Sequence, residues 1–405
     1  MWYKKNMNKN DLKYACLFGG GAIRGMAHIG VVRALNEMGV GLGTLAGSSV
    51  GAIVAAALAV GYSDEELEKI FLDVDFELFR DINFSKSLAL SKGDIFLEWM
   101  REIIETKFYG VTYSKGKNKP VTFADIDRNC VIITTDLTNF CCKEFSRITT
   151  PDFEIAEAVR ISACMPGLMK AIEVGDVTLV DGDLQKSWPM WKLCDTLANL
   201  KENILEIRLE GTPCGDLTNP ISFINSVYSC ITSVASEFVV NLYERDETHD
   251  CLVVNTGDVV IVNFQMKEAE RKAFIEDGYN QTIAYFKNIL PKKKAHLLDN
   301  YIKIKNFIVD IRDLIIRDKV ADAQVKFGNL LALLCDIKYE IDEKIYYSIK
   351  DLTENILNNS GKTFFLKQTY LKDFRSVVKH LDELEQELRS KQDELQSLLQ
   401  NLIAN

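Results

Sequence analysis

The stretch Gly47-Ser48-Ser49-Val50-Gly51 constrains this chain more than any other. It reads G-x-S-x-G with Ser49 at its centre. Gly43-Thr44-Leu45-Ala46 before it suits the end of a strand, and the Ala, Val, Ile and Leu run from Val50 to Val60 suits a buried helix. A serine between such a strand and helix sits on a sharp turn that presents its hydroxyl at a sheet edge. Small neighbours are needed there, and Gly47 and Gly51 supply them. Ser49 would stand at a helix N-terminus, where free N–H groups favour developing negative charge. The plainer reading is a helix start capped by the hydroxyl of Ser48 or Ser49.

The preceding segment has the same grammar. Tyr14 to Phe18 is an apolar strand, Gly19-Gly20-Gly21-Ala22-Ile23-Arg24-Gly25 a glycine loop, and Met26 to Met38 a helix with Ile29, Val32 and Leu35 on one stripe, stopped by Gly39. Strand, loop, helix, strand, elbow and helix predict an α/β fold with a mainly parallel central sheet covered by helices. Further strands are expected at Val131 to Thr135, Phe140 to Phe145, either side of Gly175-Asp176, Ile204 to Leu209 and Leu252 to Val254. Ser63-Asp64-Glu65-Glu66 opens a helix with an N-cap and early acids, and another follows Gly93-Asp94. Phe76 to Leu90 is aromatic and irregular, readable as an acyl-groove flap or as packing on the sheet. Ile221 to Leu242 reads as a long amphipathic helix.

From about Lys267 helix follows helix, with Pro291 as a break. Val377, Leu381, Leu384, Leu388, Leu395, Leu398 and Leu402 form a short heptad seam interrupted by Lys391. That fits a helix packed within the chain or a coiled coil between subunits.

The 405 residues carry a net charge of −10. This argues against nucleic acid as a partner and against bulk attraction to anionic membranes, so membrane contact would be local and apolar. Ten cysteines include no C-x-x-C pair, and several, such as Cys16, Cys130, Cys230 and Cys335, lie in apolar runs. They read as buried reduced thiols of a cytoplasmic protein, not as a metal site. The N-terminus lacks the apolar core of a cleaved signal.

Ser49 needs a base. Of the four histidines, His28 lies one turn into a helix, His249 in an acidic stretch, and His296 and His380 in the helical tail. None follows a late strand as a hydrolase triad requires. Asp181, which ends the strand Thr178-Leu179-Val180 and precedes Gly182, is the alternative base; the competing reading is a turn aspartate. The amides of the glycine loop, Gly19, Gly20 and Gly21, suit an oxyanion hole. A dinucleotide fingerprint is disfavoured by the spacing G-x-G-x-x-x-G and by the missing ribose-binding acid. Arg24 would anchor the loop or meet a phosphate.

Taken in order, four pieces resemble the patatin-like phospholipase family. They are Phe18 to Gly25 with Ala27-His28-Ile29-Gly30-Val31 behind it, Gly47 to Gly51, Arg160-Ile161-Ser162-Ala163-Cys164-Met165-Pro166-Gly167, and Asp181-Gly182. The resemblance covers about residues 12 to 290. It implies a Ser49–Asp181 dyad without a catalytic histidine, glycine-loop amides as oxyanion donors, supporting roles for Arg24, Gly25, Gly47, Gly51 and Gly182, and no cofactor or metal. The implied substrate is a phospholipid or lysophospholipid cleaved through an acyl-serine, met in transient contact with a membrane surface. The expected organisation is a catalytic domain over 1–290 and a helical region over 291–405, which could join subunits into a homo-oligomer. Two departures stand out: one extra residue between Gly21 and Arg24, and Asp183 where the family often has glycine or alanine. A non-catalytic lipid-binding scaffold that kept the fold is the rival reading.

Overall fold

Alternation along Tyr14 to Phe18 puts Ala15 and Leu17 on one face of a strand and Cys16 and Phe18 on the other, and all are buried. This strand, β1 (Lys13–Phe18), lies in the middle of an eight-stranded sheet. The structure is a computed structural model and describes residues 13–75, 91–185, 189–200, 202–211, 249–257, 266–337, 341–359 and 367–404, with isolated positions between them. The readings of Ile221 to Leu242 as a helix and of Phe76 to Leu90 as a flap fall outside the described residues, apart from isolated positions. Of these, Phe79 packs on Phe96 and Trp99 at ring distances of 5.3 and 5.1 Å.

The remaining strands are β2 (Gly41–Ser48), β3 (Cys130–Asp136), β4 (Cys141–Ser146), β5 (Ile172–Val174), β6 (Val177–Asp181), β7 (Asn203–Glu210) and β8 (His249–Asn255). The order is β5-β6-β3-β2-β1-β7-β8, with β4 also on β3. β3, β2, β1, β7 and β8 run parallel, while β4 and β6 are antiparallel to β3 and β5 to β6, so the sheet is mixed.

Helices flank this sheet: α1 (Met26–Met38), α2 (Val50–Ala59), α3 (Asp64–Asp73), α4 (Asp94–Tyr109), α5 (Ile155–Ser162), the single turn α6 (Asp195–Ala198) and α7 (Glu268–Ala284). Their signals are local. Gly39 ends α1 in the left-handed conformation, at φ 75°. Ser63 and Glu66 form a reciprocal capping box on α3. On one sheet face Ala15, Leu17, Ala46, Val131 and Ile133 pack under Met190 and Leu197. α1 packs against α7 at backbone distance: a Cβ on Gly30 would lie 1.7 Å from the Ile275 carbonyl oxygen, and one on Gly278 2.0 Å from that of Ala27.

The chain divides into two units, one of residues 1–243 and 249–285, the other of 244–248 and 286–405. The helical character that sets in near Lys267 thus begins inside the first unit. The second contains α8 (Leu290–Ile316), α9 (Val320–Asp336), α10 (Glu343–Asn359) and α11 (Lys367–Ala404). Pro291 does not break a helix. It occupies the first turn of α8, where a missing N–H costs nothing, and the irregularity is the π-helical turn Tyr285–Ile289 before it. The core of this unit is built from Tyr301, Ile304, Ile308, Phe327, Ile345 and Leu381 with their neighbours, so the heptad face of α11 packs within the chain. The seam runs Leu388, Gln392, Leu395, Leu399, not through Lys391 and Leu398. Buried Gln392 accepts from Lys305 Nζ at 2.9 Å, a polar pairing that apolar periodicity does not register. Cys230 and Cys335 are exposed, against the expectation of buried thiols; Cys335 stands one helical position off buried Leu334.

Candidate active site

Pairing on β3 brings the site together. β4 takes one edge of β3 along Val131 to Asp136, leaving the other edge to be shared. β2 pairs with its first half, ending at Ser48 opposite Ile133, and β6 pairs antiparallel with its second half, ending at Asp181 opposite Thr134. The two strands therefore meet end to end at consecutive positions of β3. Ser49 and Asp181, 132 residues apart, come into contact: Ser49 Oγ donates to Asp181 Oδ2 at 2.8 Å.

The turn at Ser49 is strained, with φ 51° and ψ −127° in a non-glycine residue. Its hydroxyl makes no cap bond to α2, which removes the plain reading of a capping serine. The conformation is held by neighbours. Ser49 N–H donates to Ser162 Oγ at 2.9 Å, and Ser162 Oγ donates onward to the Ile133 carbonyl at 2.6 Å. Ser162 lies in the Arg160–Gly167 piece, but its sequence gives no hint that it holds the elbow amide. Asp181 is equally fixed. Its N–H donates to the Cys164 carbonyl at 3.0 Å, Thr135 Oγ1 donates to its carbonyl at 2.9 Å, and its Oδ1 accepts from the Asp183 amide at 2.8 Å. Asp181 is fully buried and Ser49 is 6% exposed.

Replacing Ser162 with alanine leaves the Ser49 amide without this acceptor in a buried place. We expect a stability loss of about 1–3 kcal/mol, read by urea unfolding. Turnover is expected to fall about tenfold as the Ser49 side chain drifts. Unchanged stability and turnover would show that Ser162 does not hold the elbow.

The supporting glycines are places of close approach. A Cβ on Gly25 would lie 2.1 Å from Val50 Cγ2, and one on Gly182 2.1 Å from the Ile133 carbonyl oxygen. The glycine loop thus docks directly on the first residue of α2. Its amides are not equivalent. Gly19 N–H donates to the Ile207 carbonyl at 2.9 Å as part of the sheet, and Gly20 N–H donates to Asp183 Oδ1 at 2.9 Å. The sheet bond corrects the expectation that Gly19 offers an oxyanion donor. Among the described residues the Gly21 amide meets no acceptor.

His28 Nε2 donates to the Gly19 carbonyl at 2.7 Å and its ring stands edge-on to Phe18, so it props the loop. His249 stacks on Trp191 at 4.1 Å, and His296 and His380 belong to the second unit. Arg24 is buried and lies against the backbone at Gly211. Burial lowers its pKa below the ordinary value, and attraction to Glu210 partly offsets this. Burial pushes the Cys164 thiol up to about 12, with nearby Arg160 opposing the rise and Asp181 adding to it.

Among the described residues no group of three His, Cys, Asp or Glu is placed to hold a metal ion, and no helix is long and apolar enough to cross a membrane.

The family described as patatin-like phospholipase matches residues 17–189, a span that holds the glycine loop, the elbow, Ser162 and Asp181. Protein YqhO of Bacillus subtilis is 24% identical over 305 residues, covering 67% of this chain and 97% of its own. Protein R571 of Acanthamoeba polyphaga mimivirus is 29% identical over 299 residues, covering 68% and 93%. A protein of Invertebrate iridescent virus 6 named Probable lipid hydrolase 463L is 27% identical over 177 residues, covering 42% and 60%.

Proposed function

Residues 17–189 belong to the patatin-like phospholipase family, and on that premise we propose that the protein hydrolyses acyl esters of phospholipids or lysophospholipids through a Ser49 acyl-enzyme with Asp181 as the general base. The observation that carries this reading is the 2.8 Å bond from Ser49 Oγ to Asp181 Oδ2, made by a strained serine to a buried carboxylate. A buried carboxylate within hydrogen-bond reach of a serine hydroxyl is placed to take its proton.

As Ser49 Oγ attacks the ester carbonyl carbon, its proton passes to Asp181 Oδ2 and the carbonyl oxygen becomes an oxyanion beside the glycine loop and the start of α2. Collapse breaks the bond to the alcohol, which leaves with the proton from Asp181. A water then attacks the acyl-serine and gives its proton to Asp181. The second collapse returns that proton to Ser49 Oγ and releases the fatty acid. Asp181 Oδ1 stays bonded to the Asp183 amide throughout, which keeps Oδ2 aimed at the serine. Neither half-reaction needs a cofactor.

Because the substrate is an assembled lipid, the protein works in transient contact with a membrane surface, as a peripheral cytoplasmic enzyme. With a net charge of −10 that contact relies on apolar groups. The test is a fluorophosphonate probe with peptide mapping, together with fatty-acid release from phosphatidylcholine and lysophosphatidylcholine micelles. We expect the label on Ser49 and release of fatty acid from at least one lipid. No label and no release would overturn the reading in favour of a lipid-binding scaffold.

A further inference from the structure

We infer that Asp183 is a positioning residue of the glycine loop: its carboxylate ties the Gly20 amide to the Ser48 hydroxyl and leaves the Gly21 amide as the loop's donor to substrate. This deepens the proposed Ser49–Asp181 chemistry and rests on it.

Asp183 is two residues beyond Asp181, in the 3₁₀ turn Gly182–Gln185 that follows β6. That turn carries its side chain under the glycine loop. Oδ1 accepts from Gly20 N–H at 2.9 Å and from Ser48 Oγ at 3.3 Å, and the residue is only 3% exposed. The carboxylate lies against Gly20 so closely that a Cβ there would be 2.5 Å from Asp183 Cγ. Its own amide meanwhile holds Asp181 Oδ1 at 2.8 Å. One residue therefore links the glycine loop, the position before the nucleophile and the orientation of the base. A hydrogen bond in a buried place is electrostatically stronger than one in water, so an acceptor shared by the Gly20 amide and the Ser48 hydroxyl fixes both. The same small cavity is lined by Glu206 and Arg208, themselves an ion pair at 2.7 Å.

The consequence is a division of labour within the loop. An amide held by a resident carboxylate is not available to an oxyanion, so Gly20 anchors. Gly21, next along the chain and without an acceptor among the described residues, receives. Asp183 acts through these amides and does not touch the reacting atoms.

The experiment compares wild type, Asp183→Ala, Asp183→Asn and Asp183→Leu on a soluble short-chain ester, with kcat and KM separated, fluorophosphonate labelling rates at Ser49, and thermal unfolding. Loss of a whole oxyanion donor costs on the order of 10²–10³ in kcat, and a displaced one part of that. Asp183→Ala is expected to lower kcat about thirtyfold with KM within about threefold, and to slow labelling by the same factor. Asp183→Asn keeps an acceptor oxygen for Gly20 and Ser48 and is expected to recover kcat to within about fivefold of wild type. Asp183→Leu fills the space without an acceptor and reads the same loss if the alanine variant does not fold. A purely structural role would lower the unfolding temperature without this split between kcat and KM or this rescue. The inference is overturned if the alanine and leucine variants keep wild-type kcat, or if asparagine is as impaired as they are. Those outcomes leave the Ser49 reading intact when wild type labels and turns over. A wild type that does neither removes both.

Discussion

Asp181→Asn is expected to lower kcat about 10⁴-fold while KM stays close to the wild-type value, because in the proposed mechanism it removes the proton acceptor and little else. Asparagine matches aspartate in shape. Its amide oxygen can keep the bond from the Asp183 amide, and its backbone can keep the bonds with Cys164 and Thr135 Oγ1. What it cannot do is take the proton that Ser49 Oγ gives up as it attacks. The serine is then left as an ordinary alcohol in a strained turn. Fluorophosphonate labelling should slow along with turnover, since phosphonylation also needs the serine deprotonated. The measurement is kcat and KM on a soluble ester beside a thermal unfolding curve. A variant within tenfold of wild type would mean that another group is the base. The histidines of the first unit are otherwise engaged: His28 is bonded to the Gly19 carbonyl, and His249 is stacked on Trp191.

How much of this could be read from residues alone depends on the range of the interaction. The strand–loop–helix start, the stop at Gly39 and the N-cap at Ser63 are written in neighbouring residues, and the structure has them where the sequence puts them. Ser49 and Asp181 were each legible as strand-end residues for the same reason. That they touch was legible only by resemblance, because it follows from β2 and β6 sharing one edge of β3, a pairing across more than a hundred residues. The antiparallel strands that make the sheet mixed, and the crossing of α1 and α7 at Gly30 and Gly278, are hidden for the same reason. So are the roles of Ser162 and Asp183. A serine in a helix and an aspartate after a glycine look ordinary until their partners, 113 and 163 residues away, are folded against them. In α11 the expected seam strayed to Lys391 and Leu398 because an apolar count passes over Gln392, whose polar side chain is buried against Lys305.

Gly51→Ala is expected to disable the site and weaken the first unit together. Gly51 is an ordinary helical residue in the first turn of α2, and the positive φ of the elbow belongs to Ser49. The glycine is needed for approach, not for conformation. A Cβ there would lie 2.0 Å from the Phe18 carbonyl oxygen and 2.8 Å from that of Gly19, and both are backbone atoms that no rotamer change can move. Relief requires α2 to retreat from the end of β1 and from the glycine loop. Overpacking of this kind costs about 1–3 kcal/mol. The effect on rate is larger, since Ser49 rides on the first turn of α2 and a displacement of about 1 Å costs on the order of 10²-fold. Gly47 allows no retreat in the other direction, because its own Cα faces the Gly51 carbonyl, with 2.2 Å left for a Cβ. We therefore expect a lower unfolding midpoint and a fall in kcat of about 10²-fold or more, with activity lost before the fold. Wild-type stability and turnover in Gly51→Ala would mean that the loop and elbow are not in contact. Loss of stability with kcat preserved would mean that Ser49 and Asp181 move as one body, held by Ser162 and Asp183 against the shift of the helix.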